Sequence, residues 1–180
     1  MGRMIYYVAM SLDGYIADDA GGVEWLEQAP MDGEDIGYEA FYQTLGAVVM
    51  GAATYEQILS FGLERYPYPN VESVVMTSRQ LPQPEGGQVR FSNEPLAVVV
   101  SDLKERHDKD IWLVGGGRLA AAAEDSGLID LYEVTVIPRL LRAGVSLFAP
   151  RAGGSDIRAL RLVEHQVLRN GMVRLKYERA

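Results

Sequence analysis

The chain has no cysteine and only two histidines, His107 and His165. The first absence excludes disulfides, thiolate catalysis and zinc–cysteine sites. The two histidines stand far apart without ligand-like spacing, so no structural or catalytic metal is expected. No apolar run approaches the roughly 20 residues that span a bilayer, and the first residues lack a basic segment followed by an apolar core. A membrane is therefore not an expected partner, and the cytoplasm is the expected location. Positive charge is also scarce: 17 Lys and Arg stand against 25 Asp and Glu, for a formal net charge of −8. That balance disfavours nucleic acid, whose phosphates are bound by clustered Lys and Arg. Any anionic cofactor must find positive charge locally, in helix dipoles and a few placed arginines, because the overall field opposes it.

What is present reads as a globular domain. The 180 residues are 48% hydrophobic and 23% charged, enough for a sizeable core in a single domain over 1–180. Residues 4–10 form an apolar, aromatic run expected as a buried strand, broken at Ser11-Leu12-Asp13-Gly14. Residues 18–34 are rich in Gly and acids and read as a long loop anchored by Trp25. Apolar residues at 36, 38, 41, 42 and 45 predict a helix over 35–45. A short strand at 47–50, a helix at 54–61 and a strand at 71–77 follow, with a Pro/Gly-rich connection through Gly87. The valines of 96–100 fit a strand or a helix, and 101–107 reads as a helix with Ser101 as its N-cap. Later strands are expected at 111–115, 131–137, 160–168 and 172–177. Asn170-Gly171 joins the last two as a hairpin turn. Strand and helix alternate to about residue 127 and strands dominate afterwards. The expected fold is an α/β one: a mixed, mostly parallel sheet of about eight strands, flanking helices and antiparallel C-terminal strands.

The densest chemical signal is Ile111-Trp112-Leu113-Val114-Gly115-Gly116-Gly117-Arg118-Leu119. An apolar strand runs into three glycines, and an Ala-rich helix follows at once. Such a turn suits a phosphate, since glycine lets backbone approach it and the helix N-terminus offers free N–H groups. It equally suits a tight turn with no ligand. In open α/β sheets ligands bind outside the carboxyl ends of strands. Three other strand ends carry comparable residues: Ser11 to Gly14, Gly51-Ala52-Ala53-Thr54 and Thr77-Ser78-Arg79. Gly115, Gly117 and Ala120 also fit a G-x-G-x-x-A fingerprint. That motif belongs to the first strand–helix turn of a Rossmann unit and here lies late, which disfavours a standard Rossmann domain.

These segments resemble the dihydrofolate reductase superfamily. Val48-Val49-Met50-Gly51-Ala52-Ala53-Thr54-Tyr55-Glu56, Val74-Val75-Met76-Thr77-Ser78-Arg79 and Leu113 to Arg118 are similar to its three cofactor segments. Val8-Ala9-Met10-Ser11-Leu12-Asp13-Gly14-Tyr15-Ile16-Ala17 resembles the riboflavin-biosynthesis reductase branch, that of the RibD C-terminal domain. So do Gly127-Leu128-Ile129-Asp130, Thr135-Val136-Ile137-Pro138 and Ser146-Leu147-Phe148. The resemblance implies an oxidoreductase using NADPH, with a small molecule as substrate. Gly51, Ala52, Ala53 and Thr54 would open a helix against one side of the pyrophosphate. Val114, Gly115, Gly116, Gly117, Arg118 and Leu119 would hold the other, with a cis peptide at the first glycine pair. Thr77, Ser78 and Arg79 would meet the adenosine 2′-phosphate, and Ala9, Gly14 and Ile16 would border the nicotinamide. Taken by itself, Arg79 reads as a solvated loop arginine. Two positions depart from the pattern: Ala52 stands where dihydrofolate reductases commonly carry a basic residue, and Leu141-Arg142-Ala143-Gly144 replaces a late Gly-rich turn.

Reduction of a C=N or C=O bond needs a proton as well as a hydride, and a buried carboxylic acid can supply it. By the resemblance Asp35 stands where dihydrofolate reductases hold that acid. Within Asp32-Gly33-Glu34-Asp35 it also reads as a helix-capping or first-turn carboxylate. Asp13 fits a substrate contact or the cap of the Gly14 turn. Trp25 fits an active-site wall or a core anchor, and Tyr38 is a further candidate substrate contact. The expected activity is reduction of a heterocycle or a ribosylamino-pyrimidine, similar to that of 5-amino-6-(5-phosphoribosylamino)uracil reductase. Reductases of that branch are usually fused to a deaminase, whose zinc site needs cysteines this chain lacks. The alternatives are a true dihydrofolate reductase and a nucleotide-binding module without catalysis. The apolar C-terminal strands, and the habit of the branch, suggest a homodimer.

Overall fold

The computed structural model describes residues 2–27, 36–151 and 157–180. Its centre is β1 (Met4–Ser11), whose side chains are apolar on both faces because both are covered. Ile5 and Tyr7 point into one core layer with Val48, Met50, Tyr55 and Trp112. Met4 and Tyr6 point into the other with Val100, Leu113, Ala120 and Ile129. The remaining strands are β2 (Tyr15–Ala17), β3 (Leu45–Gly51), β4 (Glu72–Met76), β5 (Gln88–Ser92), β6 (Asp110–Gly115), β7 (Leu131–Ile137), β8 (Val145–Ser146), β9 (Leu160–Val167) and β10 (Val173–Arg179). Eight of them form one sheet in the order β5-β4-β3-β6-β1-β7-β10-β9. The pairs from β5 to β7 are all parallel, and β10 lies antiparallel to both β7 and β9. The expected mixed sheet with an antiparallel C-terminal hairpin is the sheet observed. Gly171, at φ +86°, makes the turn of that hairpin.

The helices are α1 (Glu24–Glu27), α2 (Tyr38–Gln43), α3 (Ala52–Ser60), α4 (Leu96–Arg106) and α5 (Gly117–Asp125). α2 is shorter than the helix expected over 35–45. It starts after Gly37 in a left-handed conformation, and Leu45 already belongs to β3. The apolar spacing there served two elements, and the β3 pairing claimed its last member. The ambiguous 96–100 run is helical, the start of an α4 that continues to Arg106. Val99, Val100 and Leu103 form its buried stripe while Val98 is exposed, a period of 3.6 rather than 2. Ser101 is therefore a mid-helix residue, not an N-cap. Pro95 holds the cap position, where its missing N–H costs no hydrogen bond.

Three strands, β2, β5 and β8, were not anticipated, nor was the one-turn α1 inside the expected 18–34 loop. β5 is a polar edge strand held by parallel pairing to β4 and by Phe91 against the core. β8 pairs with β2 in a two-stranded ribbon, drawing the 15–17 segment towards the end of β6. No helix among the described residues is long and apolar enough to cross a membrane.

Candidate functional site

The site is built where β3 and β6 end side by side, Met50 pairing with Gly115. Each strand passes through glycine into a nine-residue helix, β3 into α3 and β6 into α5. The N-cap residues Gly51 and Gly116 are both extended, and neither helix has a side-chain cap. Two first turns of backbone N–H groups, each at the positive end of a helix dipole, thus open at neighbouring strand ends. The backbones are close: a Cβ on Gly51 would stand 3.9 Å from the Gly115 carbonyl. The Gly115–Gly116 peptide is cis, and Gly115 has φ +131°, a conformation that favours glycine. Gly117 is glycine for a different reason. A Cβ there would run into the Ser146 carbonyl, while its own carbonyl accepts the Ala149 N–H at 3.0 Å.

β4 ends beside β3, with Gly51 opposite Met76, so Thr77, Ser78 and Arg79 follow next to the α3 turn. Thr77 Oγ1 accepts the Arg79 N–H at 3.0 Å. The Arg79 guanidinium forks onto both oxygens of Glu56 on α3, at 3.0 and 2.8 Å. This exposed pair raises the pKa of the guanidinium through the Glu56 hydrogen bond. Arg79 thus stays solvent-exposed, paired with Glu56 on α3 beside the site.

A cavity of about 670 Å³ opens in front of these turns. Ala9, Ile16, Ala53, Thr54, Val114 and Gly116 border it, bringing residues from the predicted segments into one place. Gly14, at φ +87°, supports the border through its carbonyl, which accepts the Leu147 N–H. Ala52 and Arg118 occupy the first turns of α3 and α5, whereas the Leu119 side chain packs into the core.

The expected substrate contacts are placed differently. Asp13 accepts hydrogen bonds from Ser11 Oγ at 2.6 Å and from the backbone N–H groups of Leu141 and Arg142. Its pKa is lowered by the Ser11 hydrogen bond first, aided by those amides. It caps its own turn and ties down the 141–144 loop, where Arg142 sits at φ +67°, and it is not a cavity wall. Trp25 is buried with Ile137, Leu168 and Met172 and acts as the core anchor, while its neighbour Leu26 faces the cavity. Tyr38 stands behind the wall, its ring 6.0 Å from that of Trp112, and burial raises its pKa. Asp35 lies outside the described residues.

The walls that sequence reading missed are aromatic. Tyr7, Tyr68 and Trp112 line the cavity, with the Trp112 indole N–H donating to the Tyr7 carbonyl at 2.9 Å. Tyr68 is 7% exposed, and burial pushes the pKa of its phenol upward. Period-2 alternation offered a partial signal, since Trp112 and Val114 share the face of β6 that leads into Gly115. Tyr68, inside Tyr66-Pro67-Tyr68-Pro69, offered none beyond loop composition.

The model of the RibD C-terminal domain matches residues 3–174. The chain belongs to that family. Among its relatives, the uncharacterized protein YwjB of Bacillus subtilis (strain 168) is 34% identical over 149 residues, covering 81% of this chain and 82% of its own. A candidate riboflavin biosynthesis protein from Shewanella sp. PV-4 superposes with a TM-score of 0.85 at 27% identity, covering 100% of this chain and 99% of its own. Dihydrofolate reductase from Enterococcus faecalis, solved with NADP(H) and a further ligand, superposes with a TM-score of 0.63 at 17% identity, over 98% of this chain and 96% of its own. The fold of this RibD C-terminal domain is thus dihydrofolate-reductase-like.

Proposed function

We propose that this RibD-type chain is an NADPH-dependent reductase of a small heterocyclic substrate. The observation that carries the reading is the pair of uncapped helix N-termini, α3 and α5, opening from adjacent strand ends onto one cavity. Four backbone features fit a pyrophosphate: two free first turns, and two glycine N-caps that leave room for it. Arg79 supplies a guanidinium fork of the kind that reads a 2′-phosphate. The Enterococcus faecalis enzyme of the same fold carries NADP(H), which supports the choice of cofactor.

When bound, the cofactor supplies a hydride. The chain's residues position the acceptor: Tyr7, Tyr68 and Trp112 wall one side of the cavity. A proton must reach the heteroatom of the reduced bond, and Asp35 is the candidate donor. The test is NADPH titration followed by cofactor fluorescence and thermal shift. Saturation below about 1 mM is expected, and an unshifted melting curve at that concentration would overturn the reading. Asp35→Asn is expected to lower kcat on any accepted substrate by about a hundredfold or more, leaving NADPH affinity intact.

The chain is also proposed to form a homodimer through β9. All eight residues of this edge strand are exposed, among them Leu160, Leu162, Val163 and Val167, and its outer backbone edge has no partner strand among the described residues. A second copy running antiparallel supplies a self-complementary edge.

A further inference from the structure

The cavity wall is rich in aromatic and apolar side chains and poor in charge. Among the described residues its only charged lining residue is Glu56, whose carboxylate is already held by Arg79. No Lys or Arg lines it, and the segments left undescribed cannot provide one, because residues 28–35 and 152–156 contain neither. A phosphate monoester carries between one and two negative charges at neutral pH. Moving it from water into a low-dielectric cavity without a counter-charge is strongly unfavourable. The two helix N-termini do not relieve this, being the cradle assigned to the cofactor.

Two neutral polar groups on the wall are uncommitted. The Gln57 amide makes no hydrogen bond among the described residues, and neither does the Tyr68 hydroxyl. An amide offers a donor and an acceptor side by side, the complement of a lactam or amidine edge on a flat ring. Tyr68 adds a hydroxyl donor, and the rings of Tyr68 and Trp112, with centroids 5.5 Å apart at 80°, form an apolar corner.

We propose that this cavity selects an uncharged, planar heterocycle without a phosphate group, its polar edge read by Gln57 and Tyr68. The proposal rests on the reductase reading for the place of the cofactor. It departs from the phosphoribosyl substrate that the branch resemblance implies.

The test is calorimetric titration of the protein saturated with NADP+, using three probes. These are 7,8-dihydropterin, 5-amino-6-ribosylaminouracil and the 5-phosphate of the latter. At least one neutral probe is expected to bind tenfold or more tightly than the phosphate ester. Equal or tighter binding of the ester, or no heat from either neutral probe at millimolar concentration, overturns the proposal. Gln57→Leu and Tyr68→Phe are each expected to weaken the neutral ligand about fivefold or more with the melting temperature held; unchanged affinity in both counts against the edge reading. Phe61→Lys, at the exposed mouth of the cavity, is expected to tighten the ester about tenfold, and an unaltered preference again counts against it. These titrations need no turnover. Selective neutral binding without NADPH oxidation would sink the reductase reading alone, and turnover of only the tightly bound ester would sink this proposal alone.

Discussion

Arg79 shows how one side chain takes its meaning from its neighbours. As a residue after a strand it is an ordinary loop arginine. Its two-bond fork onto Glu56 holds the guanidinium against α3, beside the turn that begins at Gly51. Pre-positioning lowers the entropy lost when a phosphate binds, while Glu56 competes for the same N–H groups. Arg79→Ala is therefore expected to weaken NADPH about tenfold, as the loss of one charge-assisted contact does, and to leave NADH unchanged. Direct titration of both cofactors checks this, and an equal loss for both would remove Arg79 from 2′-phosphate recognition. Asp13 shows the reverse case. Its position in Ser-Leu-Asp-Gly was visible in the sequence, but its two roles were separated only by a distant loop, since the amides of Leu141 and Arg142 occupy its carboxylate.

At the scale of elements, the two strand–glycine–helix turns were the most legible parts of the chain. Local chemistry writes them: an apolar run, glycine where backbone must come close, then helix formers. The structure separates the roles of the glycines. Gly116 borders the cavity, and a Cβ there would stand 3.4 Å from Thr54 Oγ1, a contact that a small shift can relieve. Gly117 is closed in by the Ser146 backbone. Gly116→Ala is expected to cost at most about 1 kcal/mol of stability while weakening NADPH tenfold or more, because the new methyl faces the cofactor side. Gly117→Ala is expected to cost about 2 kcal/mol or more, since backbone must move to admit it. Chemical denaturation and NADPH titration of the two variants give the comparison, and equal stability losses would contradict the assignment. The elements missed from sequence were those whose pattern is not local. β2, β5 and β8 have three, five and two residues and exist because a partner strand completes their hydrogen bonds. The α4 stripe was ambiguous because a run of valines satisfies both periods until a core chooses one face.

For the whole molecule, the β9 edge carries the remaining expectation. Exposed strand edges with apolar side chains invite pairing, and this one lies at the end of the sheet away from the proposed cofactor turns. Light scattering is expected to give twice the 19.9 kDa chain mass. Leu162→Glu with Val163→Lys is expected to halve it while leaving NADPH binding in place, and a wild-type protein of single-chain mass at micromolar concentration would end the dimer reading.

The sequence by itself determined the class of fold, the order of its main strands and helices, and the strand ends at which chemistry gathers. Those properties rest on local periodicity, on glycine's conformational freedom and on helix termini, all legible within a dozen residues. Only the tertiary structure decided which side chains face the cavity. Tyr7, Tyr68 and Trp112 are far apart in the chain, and the parallel register of β1 and β6 together with the return of the 66–69 loop makes them one wall. It also decided that Asp13 and Trp25 hold loops in place, because capping and anchoring are fixed by partners more than a hundred residues away. The charge of a site is a sum over everything that surrounds it, and no segment of sequence contains that sum.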